Sequence, residues 1–181
     1  MVKGQTQVVV FVLLFLITLL LVFSSVFWGR DVSEKNVDIG RITASESFIN
    51  RLDSSIQNVA RYGGTQIIDY NLNAVVGIKD VGYDDYVELS TPVSLDLPKY
   101  WINTTDPSKI GSIREKEENG MLKIQLFYPV KEESGFAIDL YTDGPQTGQP
   151  AQIKIEKVSS EDEMIEGKEY RVAKVKITIV L

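Results

Sequence analysis

VVVFVLLFLITLLLVFSSVFW, residues 8–28, holds no charge and no proline, and only Thr18, Ser24 and Ser25 interrupt its apolar character. Wound as a helix, the run rises about 30 Å, the thickness of a bilayer's hydrocarbon core. Each Leu, Ile, Val or Phe in such a segment contributes about −0.3 to −0.6 kcal/mol to insertion, so the run as a whole strongly favours lipid. The three hydroxyls can bond back to carbonyls of the preceding turn and so need not oppose it. Trp28 stands where an interfacial aromatic belongs.

The flanks suggest an orientation. A short N-terminal flank carries Lys3, while Arg30, Asp31, Glu34 and Lys35 lie on the other side with the bulk of the chain behind them. A cytoplasmic N-terminus and an extracellular C-terminal domain are expected, a single-pass cell-membrane topology. The competing reading is a secretory signal cleaved near Val22 and Ser24, for which the apolar stretch is long.

Composition narrows what the remainder does. The 181 residues carry a net charge of −6 and no cluster of Lys and Arg, so a nucleic-acid partner is not expected, since binding phosphates needs a basic face. Cysteine and histidine are both absent. That removes disulfides, thiolate nucleophiles, His-based triads and the usual zinc ligands. No Ser-x-x-Lys occurs either. The chain is therefore read as a non-enzyme, with no catalytic residues, cofactor or metal.

Beyond the polar residues 30–36, Ile39, Ile42, Ile49, Leu52, Ile56 and Val59 recur at three- and four-residue intervals with Phe48 and Ala60 beside them. This is one apolar stripe on an otherwise wet helix, a stripe expected to pack on its own domain. Gly63-Gly64 supplies the stop. Ile67, Ile68, Leu72, Val75 and Val76 then fit a second, shorter helix, with a strand as the rival reading.

From about Tyr86 the period changes to two. Val87 and Leu89 open the alternation; Leu122 to Tyr128, Phe136 to Leu140, Ile153 and Ile155, and Val175 to Leu181 continue it. Turn residues separate the runs at Asn119-Gly120, at Glu133-Ser134-Gly135 and between Asp143 and Pro150. The expected fold is α+β: a long helix packed on an antiparallel sheet or small β-sandwich of about five to seven strands.

Few residues of this head invite a site. Asp80, Asp84, Asp85 and Glu88 gather near Tyr83 and Tyr86, carboxylates of the kind calcium takes, yet without calcium-loop spacing. They read as a solvated loop, and Glu161-Asp162-Glu163 with Glu166 as a charged turn. Tyr100 and Trp101 fit either a ligand platform or the closed end of a core. Asn103-Thr104-Thr105 is the one sequon in the chain and a possible glycosylation site.

The residues before the apolar run are MVKGQTQ. A Lys-Gly pair followed by a Gln that opens a hydrophobic helix resembles the class III signal peptides of archaeal type IV pilin-like proteins. The resemblance covers about the first thirty residues. It implies that a prepilin peptidase cuts between Gly4 and Gln5, with Lys3 and Gly4 ending the leader. It also implies like subunits or other pilin-like proteins as partners through the N-terminal helix, in the membrane or in a surface filament. Where many of these proteins carry Glu at the fifth mature position, this chain has Val9.

The resulting layout is a leader at 1–4, a transmembrane helix at 5–29, an amphipathic continuation at 30–64 and an extracytoplasmic head at 65–181. Two functions fit it. One is a structural or adhesive subunit of an archaeal type IV pilus-like filament or envelope assembly; the other is an anchored β-domain binding module that does not polymerise.

Overall fold

The computed structural model describes residues 2–79, 85–105, 110–131, 135–143 and 146–180, and side chains from Val8 onward. Helix α1 spans Val2–Tyr62 and is followed by strands β1 (Thr65–Asp69), β2 (Val75–Lys79), β3 (Tyr86–Pro92), β4 (Ile102–Asn103), β5 (Ser112–Glu118), β6 (Met121–Phe127), β7 (Phe136–Tyr141), β8 (Gln146–Gly148), β9 (Gln152–Ile165) and β10 (Lys168–Val180). The chain divides into two units, Met1–Ile39 and Gly40–Leu181.

In the first unit the helix stands on its own hydrogen bonds. Its apolar side chains from Val8 to Trp28 are exposed to the surroundings, Phe11 at 72% and Leu20 at 67%. Thr18 and Ser25 donate their hydroxyls to the carbonyls of Leu14 and Leu21, each at 2.8 Å, so these polar groups are satisfied inside the helix as expected. Beyond the apolar run, Arg30 pairs with Glu34 at 2.8 Å and Lys35 with Asp31 at 2.9 Å. Both pairs sit at i,i+4 on the wet surface and add only a few tenths of a kcal/mol, about 0.3–0.5 each.

In the second unit the same helix is amphipathic. Phe48, Ile49, Leu52, Ile56, Val59 and Ala60 are buried and Ile42 is half-buried against them, as their spacing predicts, whereas Ile39, expected in the same stripe, is 53% exposed. The helix ends where the glycines permit. Gly63 and Gly64 have φ of +78° and +88°, and the Gly63 N–H donates to the Val59 carbonyl at 2.8 Å, satisfying one of the last carbonyls of the helix.

Two sheets receive this stripe. The first has the order β1-β9-β10-β7, the second β4-β5-β6-β3-β2-β8. The strands pair antiparallel except β7 and β10, which run parallel from Arg171 beside Phe136 to Lys176 beside Tyr141. Helix and both sheets contribute to a single core, with Leu52 and Ile56 meeting Val76, Leu89, Ile124 and Leu126 from one sheet and Ile153, Ile155, Val175 and Ile177 from the other. Side chains of this size contribute about 1.5–3 kcal/mol each when fully buried. The opposite face of the first sheet carries a smaller cluster of Ala137, Tyr170 and Val172.

The α+β arrangement follows the sequence expectation, with three corrections. Residues 65–79 form β1 and β2, not a short helix. β-branched Ile67, Ile68, Val75 and Val76 favour extended backbone, and pairing of β1 with β9 and of β2 with β3 and β8 supplies long-range partners that a helix would forgo. The described residues include ten strands against the five to seven expected, and one pair is parallel. β5, SIREKEE, lacks apolar alternation because only Ile113 enters the core; its backbone pairing with β6 across the Asn119-Gly120 turn defines it. Asn119 and Gly120 have φ of +56° and +74°, the left-handed pair that a two-residue hairpin requires.

Candidate membrane anchor and the surfaces of the head

Among the described residues there is one helix long and apolar enough to cross a membrane, near the N-terminus. Within it the run at residues 8–28 offers apolar side chains on every side, which no water-facing helix of a folded domain sustains. Each backbone group is paired within the helix, as lipid demands. Lys3, Gly4 and Gln5 lie in the first turns of α1, before the first described side chain.

Inside the head, a polar pin joins α1 to the sheet. Asp53 is 2% exposed on the buried side of the helix. The Tyr128 hydroxyl donates to Asp53 Oδ1 at 2.7 Å, and the Gln57 side-chain amide donates to both carboxylate oxygens at 2.9 and 3.0 Å. Gly111 is placed against this cluster because nothing larger fits: a Cβ there would lie 3.0 Å from the Tyr128 ring and overlap the carboxylate. Burial first, and then the adjoining Asp53 carboxylate, hold the Tyr128 phenol well above its ordinary pKa. A buried carboxylate fully supplied with donors fixes register between helix and sheet.

The second sheet carries its charge on the outside. Arg114 donates to Gln125 at 2.9 Å, and Gln125 donates onward to Glu88 at 2.6 Å. The Arg114 guanidinium also lies 4.8 Å from the ring centres of both Trp101 and Phe127, and the Lys116 ammonium 4.8 Å from Trp101. Glu118 receives Lys123 and Lys116, whose hydrogen bonds pull its carboxyl down to about 2.

The residues singled out in the sequence do not converge. Asp80, Tyr83 and Asp84 fall outside the described residues. Of their neighbours, Asp85 is buried and Glu88 is bound to Gln125, so these two do not belong to a solvated loop. Among the described residues no group of three or more carboxylates is arranged to hold a metal ion. Glu161, Asp162 and Glu163 lie within β9, with Lys174 bridging Glu161 and Glu163; the turn itself is at Glu166-Gly167. Tyr100 is exposed and Trp101 is overlaid by cations, and neither belongs to the core. Asn103 is exposed on β4 opposite Arg114. The Thr105 hydroxyl of its sequon is held at the backbone of Ile113, accepting from its N–H and donating to its carbonyl.

One feature had no sequence signal. Arg61, Lys157 and Arg171, far apart in the chain, line one groove of about 540 Å³ with Ala60, Ile110 and Phe136. No run of basic residues announces it, because three separate elements supply one cation each. Comparisons with protein-family models, with curated proteins and with solved structures return no match for this chain.

Proposed function

We propose that the protein is a pilin-like, membrane-anchored subunit of an archaeal cell envelope, processed between Gly4 and Gln5 and displaying its β-rich head on the extracellular side in a structural or adhesive role. The observation that carries this reading is the contrast between the two units: the head closes its own core, while residues 8–28 leave their apolar side chains uncovered. Such a surface needs either lipid or sister helices around it. The Lys3-Gly4-Gln5 leader placed directly before the run supports the pilin-like choice over an ordinary anchor. Removing the charged leader would free the helix to leave the bilayer for a filament core.

Val9 favours a second reading at one point. Without a carboxylate at the fifth mature position, a mature terminal amine buried among helices would lack an acidic partner, a cost of several kcal/mol when desolvated. A subunit that stays in the membrane as a binding module or cap is the alternative on that ground.

The mature N-terminus tests both. Mass spectrometry of the intact membrane protein is expected to find a chain beginning at Gln5, and Gly4→Trp is expected to leave the precursor uncut in the membrane. Normal maturation of that variant would remove the prepilin reading. A chain starting at Met1 would favour the anchored module, and a cut near Ser24 would indicate free secretion.

A further inference from the structure

We propose that the groove between Arg61, Lys157 and Arg171 is a binding site for an organic anion, a carboxylate or phosphate carried on an apolar or aromatic body. The site lies wholly within the head and does not depend on the fate of the N-terminal helix.

Its geometry follows from strand register. Ala173 and Val175 face the core beside Ile138 and Leu140, and two residues earlier on the same face Arg171 stands beside Phe136. On β9, Lys157 continues the inward series of Ile153 and Ile155. These positions would be core if α1 covered them, but the helix stops at Tyr62 and Arg61 is the basic residue of its last turn. The inward face of the sheet therefore emerges from beneath the helix as a groove, with apolar Ile110 and Phe136 in its lining and three cations around it.

The charge there is not consumed by the described residues. In a chain of net charge −6, the described residues that line the groove include no carboxylate. Lys157 gives one of its three donors to the Ala60 carbonyl at 2.7 Å, capping the helix end. Neither Arg61 nor Arg171 forms an ion pair or side-chain hydrogen bond with any described residue; Asp162, opposite Arg171 in register, makes none with it. On that same face the Ser160 hydroxyl is buried and has no hydrogen-bond partner among the described residues.

Two planar guanidinia and an ammonium are the donors that bind carboxylate or phosphate best, and among the described residues they lack one. The helix C-terminus opposes an anion, and the Lys157 cap offsets that effect. The apolar lining selects against a bare inorganic ion, which would gain nothing from contact with Phe136 and Ile110. The volume falls in the range of small-molecule sites, about 300–1,000 Å³.

The test uses the full chain in uncharged detergent micelles, titrated with phenyl phosphate, benzoate and inorganic phosphate by amide NMR. Saturable shifts at Gly64, Phe136 and Arg171 are expected with phenyl phosphate or benzoate, and several-fold weaker binding of inorganic phosphate. The double variant Arg61→Gln/Arg171→Gln is expected to weaken phenyl phosphate by at least about tenfold, and Lys99→Gln to leave it unchanged. Each single variant gives the same reading in part if the double one fails to fold. Absence of saturable shifts in the groove, or unchanged affinity in the arginine variants, overturns the site. Equal binding of phenyl and inorganic phosphate overturns the role given to the apolar lining.

Discussion

The two stretches of α1 obey the same helical hydrogen-bonding rule and meet opposite fates. Residues 8–28 expose Leu16 at 53% and Leu20 at 67%, whereas Leu52 and Ile56 in the second stretch are 0% exposed. Helix formation thus explains neither stretch alone. Three- and four-residue spacing makes one face dry and ties the second stretch to its sheets, while an unbroken apolar run needs a solvent that is apolar everywhere.

The sharpest way to break this comparison is to make one substitution in both stretches. Leu52→Ala is expected to cost the head about 2–5 kcal/mol, read as a lower melting temperature or denaturant midpoint. Leu16→Ala, the same chemical change, should leave head stability unchanged because no protein cavity is made. Equal losses at both sites would mean that residues 8–28 are packed like a core helix.

A charge separates the stretches in the other direction. Leu16→Arg is expected to disfavour insertion by about 2.5–3.5 kcal/mol relative to the bilayer-centre scale, shifting protein out of the membrane fraction while the head keeps its melting point. Unchanged partition between membrane and soluble fractions would count against the anchor.

The gentlest test is alkaline titration. The phenols of Tyr70 and Tyr128 are both held above the ordinary tyrosine value, chiefly by burial. The folded state therefore favours the protonated form: this stabilisation is complete below the unfolded pKa of about 10 and is lost as pH rises through the folded values. Head unfolding and the late tyrosinate absorbance should appear together above about pH 10, with the helix of residues 8–28 still giving its circular dichroism. Tyr128→Phe should remove part of that pH dependence. Early ionisation of both phenols in an intact head would contradict their burial.

Much of this architecture was legible in the sequence for one reason: periodicity reports the solvent on each face. The apolar run, the stripe from Phe48 to Ala60, the Gly63-Gly64 stop and the inward sets of β3, β6, β7, β9 and β10 all carry such a pattern. β5 was illegible because its partners, not its side chains, hold it in place. Residues 65–79 were misread because Ile67, Ile68, Leu72, Val75 and Val76 fit a helical face as well as two short strands, and only long-range pairing decides between them. The groove escaped notice since Arg61, Lys157 and Arg171 are brought together by tertiary structure alone.

The position of β10 bears on the order of events during synthesis. It is flanked by β9 on one side and β7 on the other, and its residues Val175 and Ile177 sit at the centre of the core. A ribosome delivers the chain from the N-terminus, so the first sheet lacks an interior strand until residue 177 has been made. Until then β1 can pair with β9, but β7 has no neighbour in that sheet. Closure of the first sheet is thereby deferred to the arrival of β10, which joins β7 to β9.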